Sequence, residues 1–296
     1  MEQNNKNSTA TQIGTVNVYN QQITLAEVEM ICKGIFWDNF TKLRDEALKV
    51  VEQRLETFSK ELARRIDVNN LYKFKIPDVL YVLYQAQNAY VRVEEETIRN
   101  LIVDMIVGRI SAEEKSNLQL NYNQAILLLP KLNKKHLDIL TFIFFVTEIR
   151  ILTLDKIKIP GDESILIEYL NFILELIDFE LSANDLRYMY SVGCGTEDYF
   201  NSFEYLLTRN GTKIFKFTKK IGISEISVMP NIIINKKIMS IRKYIISLRE
   251  EYEKIFETYD DKKLCNFHLS SVASLIAAKN LELKKDYKID ELKWFG

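Results

Sequence analysis

The stretch that decides the fold runs from Thr24 to Ile66: TLAEVEM ICKGIFWDNF TKLRDEALKV VEQRLETFSK ELARRI. Thr24 and Glu27 form a capping box, in which the Thr hydroxyl accepts from the N–H of Glu27 and the Glu carboxylate reaches back to the N–H of Thr24. The apolar residues then recur as Leu25, Val28, Cys32, Phe36, Phe40, Leu43, Ala47, Val51, Leu55, Phe58, Leu62 and Ile66, a mean step of about 3.7. That period suits the face of a straight helix better than the 3.5 of a left-handed coiled coil. Acid-before-base pairs four apart, Asp38/Lys42, Asp45/Lys49, Glu56/Lys60 and Glu61/Arg65, dress the outer side and read as a solvated face. The stretch is therefore expected to be one long amphipathic helix, or two helices broken at Gly34. As one rod it would be about 64 Å long at 1.5 Å per residue, so sister subunits are expected to cover part of its stripe.

Composition agrees with a helical class. Of 296 residues, 47% are hydrophobic, and only nine are Gly and four Pro, too few for a loop-rich or all-β chain. Net charge is −1, so nothing drives the whole molecule to nucleic acid or an anionic membrane. The charge is unevenly spread. Between Arg209 and Lys243 there are nine basic residues and one acid, Glu225. Three widely spaced cysteines, Cys32, Cys194 and Cys265, suit a reducing compartment rather than a disulfide framework. No basic-then-apolar segment opens the sequence, and the most apolar run, Ile139–Val146, is too short to span a bilayer. A cytoplasmic protein with no membrane partner is the expectation.

Outward from the long helix, the chain divides into four stretches. Residues 1–22 form a polar leader, disordered or oligomerising, in which Ile13 to Tyr19 has the alternation of a short strand. Residues 23–66 are the long helix. Residues 67–208 read as a helical body. Pro77 opens a helix at the position where a missing N–H costs nothing. Glu94-Glu95-Glu96 starts the next with acids where the dipole favours them. Ser111 with Glu114 reads as a second capping box, Asn133 and Ser182–Asp185 as further caps, and Thr196 as the cap of a helix to Thr208. Residues 209–296 hold a small hairpin near 212–235, rich in β-branched and aromatic residues, and then helices from about Lys236 and from His268 to Leu283. The expected fold is thus mainly α: a long N-terminal helix on a multi-helix body, with a short N-terminal strand and one hairpin.

Several stretches together resemble one uncharacterised bacterial family of mostly helical proteins. They are Tyr81-Val82-Leu83-Tyr84-Gln85-Ala86-Gln87-Asn88-Ala89-Tyr90, the segment Ile98 to Arg109 with Asp104 and Gly108-Arg109, then Asn123-Gln124-Ala125, Leu129-Pro130-Lys131-Leu132 and Gly193-Cys194-Gly195. The leader, Asn7-Ser8-Thr9-Ala10-Thr11-Gln12-Ile13-Gly14, is similar to Asn/Gln-rich leaders of bacterial conflict and antiviral-defence proteins, some of which stack as a trimeric β-prism. The resemblance implies a bacterial cytoplasmic protein with a defence role that acts as an oligomer, a trimer by analogy with those leaders. It supplies no reaction and no catalytic residue.

Candidate chemistry is sparse. No phosphate-cradling glycine loop is present, and no cofactor or metal ligand set is read. His136 and His268 stand on separate segments and read as structural or surface residues. Glu94-Glu95-Glu96 reads as a helix start in preference to a cation site. Cys194 is a weak nucleophile candidate, because flanking glycines allow close approach and a helix expected from Thr196 would lower its pKa. Its alternative is a tight turn with a buried thiol. Lys213, Lys216, Lys219 and Lys220 interleave with Phe215 and Phe217, and Lys236 and Lys237 follow, the mix that phosphate neutralisation and base stacking require. Those aromatics read equally well as hairpin core. The first functional expectation is a non-enzymatic homo-oligomeric interaction or sensor protein in antiviral defence. The alternatives are a nucleic-acid or polyanion-binding module at 209–243, a segment that could equally meet a protein partner, and a cysteine-dependent enzyme.

Overall fold

The computed structural model describes residues 23–37, 45–148, 163–197, 202–209, 231–234 and 237–284. The leader with its expected strand, and residues 210–230 of the expected hairpin, lie outside them. The fold is mainly α. Helix α1 spans Leu25–Trp37 and α2 spans Asp45–Arg65, followed by a 3-10 turn, Val68–Lys75. Then come α3 (Pro77–Arg92), α4 (Glu96–Ser111), α5 (Asn117–Leu128), α6 (Lys134–Glu148), α7 (Glu163–Leu176) and α8 (Ala183–Ser191). Strand β1 (Gly195–Glu197) precedes α9 (Phe203–Arg209), strands β2 (Asn231–Ile234) and β3 (Lys237–Ser240), and α10 (Ile241–Leu248). A short α11 (Glu253–Phe256), strand β4 (Phe267–Leu269) and α12 (Ser271–Lys284) complete the described chain.

The Thr24–Glu27 capping box is present: the Thr24 N–H donates to Glu27 Oε2 at 2.8 Å and the Glu27 N–H to Thr24 Oγ1 at 3.3 Å. The single rod is not. Gly34 lies inside α1, and α2 runs back along α1. Phe36 packs with Val51, Leu55 and Val91, while Lys33 lies within electrostatic range of Glu52 and Glu56. Two short helices can bury their stripes on one another, and one rod cannot. Val28, Cys32, Phe36, Val51, Leu55, Phe58, Leu62 and Ile66 are accordingly all buried within one chain. Those eight positions of the ridge that was expected to need sister subunits are covered within the chain, whereas Leu25 is 41% exposed and Phe40, Leu43 and the Ala47 side chain lie outside the described residues. Of the pairs read as a solvated face, Glu56–Lys60 is exposed at 2.8 Å, whereas Glu61–Arg65, at 2.7 Å, is partly buried and tied to Asp104; Asp38/Lys42 and the Asp45 side chain lie outside the described residues.

Helix α6 is the centre. Leu137, Ile139, Leu140, Phe142, Ile143, Phe144 and Val146 are all fully buried, so the helix is apolar on every side and must be surrounded. Helix α12 lies on it, with the Asn280 amide bonded to Thr141. One hydrophobic cluster includes residues from Val28 to Leu281, so the C-terminal helix belongs to the same core as the body. Among the described residues no helix is long and apolar enough to cross a membrane.

Four local readings are corrected. Ser111 ends α4, and the cap of α5 is Ser116, whose hydroxyl accepts from the Gln119 N–H at 3.1 Å. Thr196 and His268 start no helix, since they pair with each other in the antiparallel β1–β4 ladder. Their short segments are held as strands by a partner distant in sequence, which local signals cannot reveal. The second ladder, β2 with β3, joins Asn231–Ile234 to Lys237–Ser240, so extended structure continues past Lys236 where a helix was expected. Asn133 and Ser182 cap as read: Asn133 Oδ1 accepts from the His136 N–H at 2.9 Å, and Ser182 forms a capping box with Asp185.

Tight contacts make a stability prediction. A Cβ on Gly108 would sit 2.2 Å from the ring of Tyr122, between α4 and α5. Gly108→Ala should lower unfolding stability by about 2 kcal/mol through overpacking, read as a reduced urea midpoint with an unchanged slope.

Candidate functional site

The open concavity of interest is a cleft of ≈ 610 Å³ between α2 and α4, with Leu283 of α12 at its edge. Arg65 projects from the last turn of α2, where a cation also suits the helix dipole. Its guanidinium donates to Asp104 Oδ1 at 2.8 Å, Asn100 Oδ1 at 3.0 Å and Glu61 Oε2 at 2.7 Å. Glu61 also accepts from Arg64 at 2.6 Å. Hydrogen bonds from Arg64 and then Arg65 hold the Glu61 carboxyl below the ordinary carboxylate range. Across the cleft, Arg99 donates to the carbonyl of Glu94 at 2.9 Å and lies 5.8 Å from the Tyr90 ring centroid. The walls carry Arg64, Arg65 and Arg99 against Glu61, Glu96 and Asp104, an evenly balanced set in which Arg65 is locked and Arg64 is largely exposed.

A second polar junction ties the C-terminal helices together. Residues Glu257–Asp261 form a π-helical turn, a geometry that recurs at functional positions. Asp260 accepts from the Phe203 N–H at 2.9 Å, anchoring the start of α9. Arg242 bridges Glu253 and Asp261, each at 3.1 Å, and its guanidinium lies 5.2 Å from the Phe256 ring centroid. Burial pushes the Asp260 carboxyl up to about 6.

The cysteine candidate meets an unfavourable setting. Gly193 has φ +88°. Its N–H donates to the Tyr190 carbonyl at 3.1 Å, and the Cys194 N–H to the Met189 carbonyl at 2.9 Å, the paired bonds of a Schellman close to α8. Gly195 follows because a Cβ there would meet the His268 carbonyl at 2.3 Å. The Gly-Cys-Gly run is thus a helix terminus entering a strand, with the thiol fully buried. No helix starts at Thr196 to stabilise a thiolate, and burial pushes the Cys194 thiol up to about 12. Cys32 is likewise pushed up to about 12 and Cys265 to about 11.

The remaining candidates separate. Lys213, Lys216, Lys219, Lys220 and Lys236 lie outside the described residues, and Lys237 begins β3. Arg242, from the same basic segment, is committed to carboxylates. His136 is buried and stacked 5.2 Å from the Tyr188 ring, whereas His268 is exposed on β4. Glu96 reaches the cleft. Among the described residues no group of three or more His, Cys, Asp or Glu side chains is placed to hold a metal. Sequence reasoning missed the cleft. The Glu61/Arg65 spacing was visible, but nothing local tied it to Asn100 and Asp104.

A protein-family model matches residues 23–295. The chain belongs to that uncharacterised family. No curated protein and no solved structure matches it. The family's description names no reaction, ligand or partner, so the fold gives the reading of the site no precedent to lean on.

Two measurements follow from these environments. Native protein at pH 8 should leave Cys32, Cys194 and Cys265 unreacted with Ellman's reagent, and denaturant should release all three; a fast native equivalent assigned to Cys194 would restore the nucleophile. Asp260 has a folded pKa above its ordinary value, so its stabilising contribution is full below the ordinary carboxylate range and is lost as pH rises to about 6. Asp260→Asn, which keeps an acceptor for Phe203, should therefore flatten the pH 4 to 7 dependence of the melting temperature relative to wild type.

Proposed function

We propose that the chain is a non-enzymatic interaction protein that works as a homo-oligomer, with the α2–α4 cleft as the docking point for a protein partner. The observation carrying this is the cleft's charge balance. A phosphate backbone entering it would meet three carboxylates, whereas a polypeptide bearing both signs can pair with the exposed Arg64 and Glu96 beside the locked Arg65 network. The rigid Arg65 network presents these charges without further ordering, which lowers the cost of binding. Burial of Cys194 weighs against the cysteine-enzyme alternative, and the commitment of Arg242 to Glu253 and Asp261 leaves one cation fewer for a polyanion at 209–243. The setting we propose is the cytoplasm of a bacterium and its defence against phage, on the likeness of the family and leader motifs.

The test compares wild type with Arg64→Glu/Arg99→Glu in the native host, by cross-linking and mass spectrometry. Peptides of one partner cross-linked around the cleft should fall at least ~10-fold in the variant, the scale of 1.4 kcal/mol or more. Equal recovery overturns the docking role. Light scattering of the full chain should give a mass above the 34.7 kDa of one copy.

A further inference from the structure

Helix α1 has two apolar faces, and the described chain covers one. Val28, Cys32 and Phe36 point into the core. On the opposite side Ala26, Met30, Gly34 and Trp37, spaced four, four and three apart, form a second line along the helix. All four are exposed, Met30 at 68% and Trp37 at 39%. A helix apolar on both sides ordinarily has neighbours on both sides.

The order of that line says what the neighbour is. It alternates small, large, small, large. When the helix meets an antiparallel copy of itself, centred near residue 32, Met30 faces Gly34 and Trp37 faces Ala26. Each large side chain then enters the space left by a small one. The notch is open, since a Cβ on Gly34 would meet nothing within 4 Å. A parallel pairing would instead set Met30 on Met30 and leave the glycines facing each other. The charges agree. Glu29 and Lys33 lie on one flank of the line, joined at 2.9 Å and each about two-fifths exposed. A two-fold axis perpendicular to the helices keeps them on that flank and reverses their order, so Glu29 of each copy comes opposite Lys33 of the other. The four charges alternate in sign.

We propose that α1 is a homodimerisation helix that packs antiparallel on α1 of a second copy, through Ala26, Met30, Gly34 and Trp37. This rests on the homo-oligomer reading above and gives it a contact, replacing the stripe that the fold buries. The contact is isologous and builds pairs. A single pair of 13-residue helices covers less than the standard interface of about 1,600 Å², so association depends on concentration.

The test is light scattering of the full-length chain over a concentration series. Wild type should move from monomer to dimer. Met30→Glu, at a highly exposed position, should weaken self-association at least ten-fold. Gly34→Leu should do the same by filling the notch, with an unchanged or raised melting temperature because a Cβ there stands in open space and Gly is a poor helix residue. Tyr81→Glu, exposed on α3, should leave association intact. Mixing Met30→Cys chains with Gly34→Cys chains under mild oxidation should give a crossed disulfide in excess of either self-pair, the buried native cysteines staying silent. A wild type that is monomeric throughout overturns both this contact and the homo-oligomer reading. An oligomer unaffected by Met30→Glu and Gly34→Leu overturns the contact alone. Predominant self-pairing of Met30→Cys overturns the antiparallel register.

Discussion

The structure depends on Phe36 meeting Val51 and Leu55. That contact turns the sequence's longest apolar stripe into two halves facing each other and, through Val91, fastens both to α3. Full burial of one such aromatic side chain contributes on the order of 2–3 kcal/mol, and truncating it would add the cost of a cavity. Because α2 runs back along α1, the stripe from Val28 to Phe36 and from Val51 to Ile66 is buried within the chain. What remains outward on α1 is its other face, and what remains on α2 is the row that ends in Glu61, Arg64 and Arg65. The packing of the stripe therefore decides which surfaces the molecule offers to others.

Buried polar groups then fix how the helices register. The Arg109 side chain is fully buried and bonds to Asp78 on α3 and to Glu114, just before α5. Its two acidic partners are about half exposed, so they keep much of their hydration while neutralising a cation that has lost its own. That arrangement avoids much of the desolvation penalty of a fully buried pair. Lys73 reaches in from the 3-10 turn to donate to the carbonyls of Ile110 at 2.6 Å and Ala112 at 3.1 Å, closing the end of α4 where carbonyls lack helical partners. Gln87 donates to the carbonyl of Cys32 and so ties α3 to α1. The Asn280 amide donates to Thr141 Oγ1 at 2.8 Å across the α12–α6 contact. Apolar surface alone would let these helices slide, but each of these bonds is satisfied in one register only.

Much of this was legible and some was not, for physical reasons. Caps are local, so Thr24, Asn133 and Ser182 could be read from neighbours three residues away. The apolar run of α6 could be read because burial on all sides needs no partner information. The folding of α2 back on α1 could not: the 3.7-residue period runs on through the sequence between them, and the contact of Phe36 with Val51, Leu55 and Val91 is not local. The β1–β4 ladder could not either, because its partners are some seventy residues apart. Gly193-Cys194-Gly195 was open to two readings on local grounds, a reactive loop or a turn, and it took the Met189 and Tyr190 carbonyls to show which. The stretches that carry the resemblance hold several packing devices: Gly108 admits Tyr122, Gln87 spans to α1, and Arg109 joins three segments. Of the quoted positions, Tyr90, Arg99, Asn100 and Asp104 line the cleft, the last two through their bonds with Arg65.

A division of labour among charges follows from this placement. Where a carboxylate is held below its ordinary range, as Asp185 is, against the pull of its burial, by Lys135 and Ser182, the charge serves the fold, and its loss is felt as stability; Asp260, which burial favours protonated, serves as the acceptor for the Phe203 N–H. Where partners are themselves exposed, as for Arg64 with Glu61 or Glu29 with Lys33, the pair adds little to folding, since surface ion pairs are worth about 0–1 kcal/mol. Such pairs can be shared with or exchanged for groups on another molecule at small cost. The groups of that second kind singled out here sit beside the α2–α4 cleft and along the outer line of α1. Both places lie on the hairpin formed by the first two helices. Folding α2 back on α1 thus does more than hide a ridge: it sets adaptable charge and uncovered apolar surface on one N-terminal unit, while the carboxylates the fold relies on stay in the body behind it.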